Sequence, residues 1–140
     1  MIILDTDTLG IVQRASGHVY EKLLNRLLAA DDDVCVSIIR FEEQMRGWLA
    51  FIAKAKTSSQ QVNAYARLHA LLDDFIRRPV LDFDEACAFE FQGLSASKLR
   101  IGTMDLKVAA TALAHGALLL SRNLKDFRKV AALRVDDWTS

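Results

Sequence analysis

Five short apolar runs fix what this chain can become: 2–5 (IILD), 34–38 (VCVSI), 80–83 (VLDF), 117–121 (ALLLS) and 133–137 (LRVDD). Each has strand length, and most are rich in Val, Ile and Leu, the pattern of strands buried on both faces. Segments of helical spacing separate them. Residues 18–30 place Val19, Leu23, Leu24, Leu27 and Leu28 on one side, and a helix is predicted to start near Ile39. Residues 58–77 carry Val62, Tyr65, Leu68, Leu72, Phe75 and Ile76 near one side, and Pro79 ends that run. A helix over 84–97 takes Asp82 or Asp84 as its cap, and one over 101–116 takes Thr103 as N-cap and Gly116 as its C-terminal stop. The polar stretch 122–130 reads as a loop or turn. Strands alternating with helices predict an α/β fold with a central, mainly parallel sheet of four or five strands covered on both sides.

A chain of 140 residues with a hydrophobic fraction of 51% is long enough for one domain with a real core, so 1–140 is taken as a single domain. Lys plus Arg and Asp plus Glu are equal at 18 each, so any surface that binds nucleic acid must be a local patch. Cys35 and Cys87 lie in apolar runs and read as small core residues in a reducing compartment. No signal peptide or bilayer-length apolar segment is visible, so the expectation is a cytoplasmic protein with no membrane partner.

Acids mark the strand ends. In open α/β sheets, sites form beyond the carboxyl ends of the strands. Asp5 ends the first run and Asp7 follows it. Glu43 lies in the helix after the second run, and Glu42 is its neighbour. Asp105 opens the helix before ALLLS, and Asn123 and Asp126 follow ALLLS. Carboxylates brought together repel, and a divalent cation removes that conflict. Magnesium takes hard oxygen ligands and needs only one or two direct carboxylates. Such an ion polarises a phosphoryl oxygen and activates water, which is a design for cutting phosphodiesters.

Bland readings stand beside these. Asp7 serves equally well as N-cap of the helix TLGIVQRA, and Asn123 as a turn former. Ser37 and Thr6 are expected to orient site carboxylates or backbone. His18, His69 and His115 have no metal-ligand spacing. Trp48, Phe51 and Tyr65 are expected to pack between helices. Arg40, Arg46, Lys98, Arg100, Arg122 and Lys125 flank the acid-bearing segments, by default as solvated charge and otherwise as phosphate contacts.

Two families resemble the opening MIILDTDTL. The haloacid-dehalogenase phosphatases share an apolar strand followed by Asp-x-Asp-x-Thr, which would make Asp5 a nucleophile and Asp7 its acid/base. That family also needs a late acidic pair followed by a helix, and Asp136–Asp137 stands too near the end of the sequence. The second resemblance spans nearly the whole chain, to the PIN-domain ribonucleases of the VapC toxin type. It rests on LDT at 4–6, SIIRFEEQMRG at 37–47, IGTMDLKVAATALAHGALLLS at 101–121 and RNLKDFRKVAALRVDDW at 122–138.

The resemblance implies a three-layer α/β/α PIN-like fold and a metal-dependent endoribonuclease that is the toxin of a type II toxin–antitoxin pair. Asp5, Glu43 and Asp105 would hold Mg2+ or Mn2+, with Asn123 as a further catalytic position. It also implies an RNA substrate, a cognate antitoxin protein and a homodimer. Two positions depart from the family pattern: Asp7 stands where Asn or Ser is common, and Asn123 stands where a fourth acid is expected. The second departure keeps open a non-catalytic interaction module on the same scaffold.

Overall fold

A computed structural model describes residues 1–140. Five strands form one sheet in the order β3-β2-β1-β4-β5, and every pairing is parallel. They are β1 (Ile2–Leu4), β2 (Val34–Ser37), β3 (Val80–Leu81), β4 (Leu118–Leu120) and β5 (Arg134–Asp136). Parallel neighbours require crossovers, and helices supply them. Helices α1 (Thr6–Arg14) and α2 (His18–Ala30) join β1 to β2, and α3 (Ile38–Lys54) and α4 (Ser58–Ile76) join β2 to β3. Helices α5 (Glu85–Ala96) and α6 (Thr103–His115) carry the chain to the other side of β1, where α7 (Leu124–Phe127) links β4 to β5.

The alternation of strand side chains builds two cores. Ile2 and Leu4 face a cluster with Leu9, Ile11, Leu23, Val36, Leu71, Phe75 and Leu120. Ile3 points the opposite way, into a cluster with Ile39, Val108, Ala109, Ala112, Leu119, Phe127 and Val130. The sheet is thus covered on both faces, as its apolar strands require. The alanines of α6 let that helix lie close over the second face, and Val108, Ala109, Ala110 and Ala112 are fully buried. The α3–α4 pair is part of this body, since Leu71 and Phe75 of α4 enter the first core and Phe41 of α3 meets Phe75 edge-on at 5.0 Å.

Several boundaries differ from the sequence expectation. The N-cap of α6 is Gly102, and Thr103 is the first helical residue. The N-cap of α1 is Asp5, which leaves Asp7 inside the first turn. Asp84, one of the two caps expected, does cap α5, its carboxylate accepting the Cys87 N–H at 3.1 Å. The stretch expected as a loop contains the short helix α7, pinned by fully buried Phe127. Cys35 and Cys87 are buried and unpaired, as expected. No helix is long and apolar enough to cross a membrane.

Candidate active site

The chain runs β1, β2, β3 outward on one side of the sheet, then returns to place β4 and β5 on the other. The carboxyl ends of β1 and β4 therefore flank the point where the strand order reverses, which is where open α/β sheets form their crevice. Asp5 is the first residue beyond β1. Its N–H is fixed to the Leu120 carbonyl of β4 at 2.9 Å, and its own carbonyl accepts from Leu9 at 2.7 Å. The residue is only 4% exposed.

An aspartate at an N-cap ordinarily gives its carboxylate to the first helical N–H groups, for about 1 kcal/mol. Asp5 makes no such bond. Its Oδ2 accepts the Ser121 hydroxyl at 2.7 Å, and its Oδ1 accepts from Arg40 Nη2. The helix forgoes its cap, and the carboxylate is turned into the sheet end.

Arg40 is the centre of the arrangement. Its Nη2 also donates to Asp105 Oδ1 at 2.9 Å, and its Nη1 donates to Glu43 Oε1. The Arg40 side chain is 2% exposed, against 6% for Asp5, 31% for Glu43 and 29% for Asp105. Burial works against the charged guanidinium, but the carboxylates of Asp5, Asp105 and Glu43 outweigh it and hold the Arg40 pKa above its ordinary value. Because Asp5 and Asp105 accept from one nitrogen, their oxygens lie within two hydrogen-bond lengths, roughly 6 Å. Three carboxylates on one guanidinium leave the cluster with negative formal charge in excess.

Each contributor is placed by its element. Ser37 ends β2 and caps α3 at once, its hydroxyl accepting the Ile39 N–H at 3.1 Å, so the strand passes into the helix without a loop. Arg40 and Glu43 follow three residues apart on one helix face. Asp105 lies in the first turn of α6, from which its carboxylate accepts from Arg40.

The structure thus brings Asp5, Glu43 and Asp105 together, and leaves other candidates outside that set. The Asn123 amide donates to Asp126 at 3.2 Å, and only the Asn123 backbone N–H reaches toward the cluster, through Ser121 Oγ at 3.0 Å. Asp7 binds the Thr8 N–H at 2.6 Å and the Arg122 N–H at 3.1 Å. Glu42 pairs with Arg46 at 2.6 Å on the surface. Thr6 is exposed. The Asp136 carboxylate accepts from the Trp138 indole at 3.0 Å and Asp137 from the Thr139 N–H at 2.9 Å, so both acids serve the local turn. Trp48 packs against the first core, with Phe51 edge-on at 5.6 Å, whereas Tyr65 is 59% exposed on α4.

Two participants escaped the sequence reading. Arg40 belongs inside, not among the solvated charges. A cation within the apolar run IIRF, three residues before Glu43, was the available signal. Ser121 follows β4 as Asp5 follows β1, a symmetry visible only once the strands are paired.

Acids from the end of β1, from α3 and from α6 thus converge at the reversal of a parallel sheet, and it is the fold that has known counterparts. The PIN domain family pattern matches residues 2–133. The chain belongs to the PIN domain family. Within it, the sequence is 29% identical over 117 residues to ribonuclease VapC2 of Rickettsia felis, covering 80% of this chain and 79% of that one. It is 27% identical over an alignment of 143 positions to the tRNA(fMet)-specific endonuclease VapC of Salmonella typhimurium, covering 97% and 96%. Among solved structures, VapBC2 of Rickettsia felis bound to a DNA fragment from its promoter superposes with a TM-score of 0.70 at 28% identity, covering 99% of both chains. VapBC-1 of nontypeable Haemophilus influenzae shares the fold, with a TM-score of 0.72 at 23% identity over the full length of both chains.

The three carboxylates suit a hard divalent cation in chemistry, being oxygen donors already gathered around a positive group. With Arg40 seated among them, no three Asp, Glu, His or Cys side chains are disposed as a ligand set.

Proposed function

We propose that this chain is an endoribonuclease that hydrolyses RNA phosphodiesters with Mg2+ or Mn2+, and that it is the toxin of a type II toxin–antitoxin pair in the cytoplasm. The observation that carries this reading is the convergence of Asp5, Glu43 and Asp105 at the carboxyl end of β1 around a single cationic group. The VapC ribonucleases that it resembles along most of its length support the same chemistry.

Asp5, Glu43 and Asp105 would hold the cation. When bound, it supplies Lewis acidity toward the phosphodiester and a water acidic enough to attack. Ser121 fixes the rotamer of Asp5 by its hydrogen bond at 2.7 Å, which keeps one carboxylate oxygen aimed at the cluster. Glu43 and Asp105 are partly exposed and form the solvent side of the cluster, where a phosphate would approach. Arg122 and Lys125, both exposed beyond β4, are placed to meet a nucleic-acid backbone there. Asn123 would act through the segment that it anchors at Ser121.

An antitoxin protein is the proposed partner, because solved structures of the same fold include a toxin–antitoxin complex and a member of the VapBC family of toxin–antitoxin systems. Exposed Val62, Tyr65, Leu72 and Ile76 on α4 offer apolar surface for it or for a second copy of the chain.

Asp105→Asn tests the reading. The side chain is partly exposed, so the fold tolerates the change. Incubated with tRNA and with messenger RNA in Mn2+, the wild type should cleave at least one substrate, and Asp105→Asn should be slowed more than 100-fold while its circular dichroism stays unchanged. Equal cleavage by both proteins would refute the assignment.

A further inference from the structure

Arg40 occupies the space that the three carboxylates share. Nη2 sits between Asp5 Oδ1 and Asp105 Oδ1, and Nη1 holds Glu43 Oε1. The other oxygen of Asp5 is taken by Ser121, so Oδ1 is the oxygen that Asp5 offers to the cluster. A divalent ion bound by Asp5 and Asp105 needs the position that Nη2 fills. A guanidinium stays charged throughout the accessible pH range, so it cannot make room by losing its proton. Two cations at hydrogen-bond separation repel strongly in a poorly hydrated site. Arginine seated and ion bound are therefore mutually exclusive arrangements.

The seat is also incompletely built. Arg40 Nε is buried without any hydrogen-bond partner, so the guanidinium is held by its two terminal nitrogens alone. An orphaned buried donor is costly, and swinging the side chain toward the partly exposed Glu43 and Asp105 edge would return Nε to water.

Resting on the proposed metal chemistry, we infer that Arg40 is a resident cation that holds the carboxylates together without metal and must withdraw before a divalent ion binds. The affinity of the site for Mg2+ or Mn2+ is then set by displacement of this side chain as much as by the acids themselves.

Calorimetric titration of the full chain with Mn2+ alone, wild type against Arg40→Gln, tests this. The variant should bind Mn2+ at least tenfold more tightly than wild type, and binding by the variant only would support the same conclusion. Should Arg40→Gln fail to fold, the wild type suffices. Arg40 is the one arginine among the buried residues, so its Nε–H should give an exchange-protected signal in 15N-arginine spectra. Saturating Mg2+ should move that signal and speed its exchange. Equal Mn2+ affinity in the two proteins, or an unmoved Arg40 signal while Mg2+ binds, would overturn the competition and leave the metal reading standing. Absence of Mn2+ binding by both folded proteins would overturn the two together.

Discussion

Replacing Ser121 by alanine removes one hydroxyl and leaves two groups without partners. Ser121 is fully buried and donates to Asp5 Oδ2 at 2.7 Å, while its oxygen accepts the Asn123 N–H at 3.0 Å. A hydrogen bond to a charged group contributes about 1.5–3 kcal/mol, and the Asn123 N–H, near the surface, recovers part of its loss from water. The expected cost is about 2–3 kcal/mol, since no acceptor or donor replaces the hydroxyl. Unfolding entropy near 2.1 cal/mol/K per residue gives this chain about 0.3 kcal/mol/K, so each kcal/mol lowers Tm by about 3 °C. Scanning calorimetry should therefore show Ser121→Ala melting about 7–10 °C below wild type. Ser97→Ala is the control, because the Ser97 hydroxyl bonds the Gly93 carbonyl at 3.1 Å on the exposed side of α5 and its loss should be nearly silent. RNA cleavage should fall by about 10–100-fold at a temperature where Ser121→Ala is folded, because Asp5 loses the partner that orients it. A drop of less than about 2 °C, or one equal to that of Ser97→Ala, would show that Asp5 does not depend on this hydroxyl.

Two further outcomes follow from the structure. Asp74 is partly buried; burial raises its pKa, but hydrogen bonds from Arg78 and Gln13 prevail and hold it below the ordinary carboxylate range. A carboxylate with a depressed folded pKa stabilises above its unfolded pKa and loses that contribution as pH falls through the folded value. The stability gap between wild type and Asp74→Asn, up to about 1 kcal/mol for a partly exposed pair, should thus be present at pH 7 and close in urea titrations below about pH 4. A gap that persists at pH 2.5 would assign the effect to packing. Asn123→Asp sets a second carboxylate against Asp126, where the amide now donates at 3.2 Å. It should lower Tm by about 2–3 °C in metal-free buffer, and Asp126→Asn should restore most of the loss in the double variant. Additive losses would place the Asn123 side chain elsewhere.

The strands and the long helices were legible in the sequence because their signals are local. Short apolar runs give buried strands, and apolar residues three and four apart give helices such as α2 and α4. Pro79 and Gly116 marked real ends, Gly116 because its left-handed backbone, φ 59°, suits a residue without a side chain. The exceptions are instructive. Helix α7 has only four residues and no periodicity to display, and Phe127 fixes it from the core below. The Asp5 N-cap was hidden because its carboxylate has been recruited away from the helix.

By itself, then, the sequence determined an alternating α/β chain with acids at the strand ends and helix starts. Parallel pairing and the carboxyl-end location of the site follow from that order, since crossovers between short strands admit few arrangements. Only the tertiary structure decided which acids meet, what lies between them and which way Asn123 turns. The bonds that decide it join Asp5 to residues 35 and 116 positions away and Arg40 to one 65 positions away. The fate of a buried charge depends on partners brought together by the whole fold. Arg40 carries the same charge as Arg46, yet one sits at 2% exposure among three carboxylates and the other at 67% beside one. The apolar run IIRF hints at burial of Arg40, but the carboxylates that hold it are set by the end of a strand and the start of a helix elsewhere in the chain.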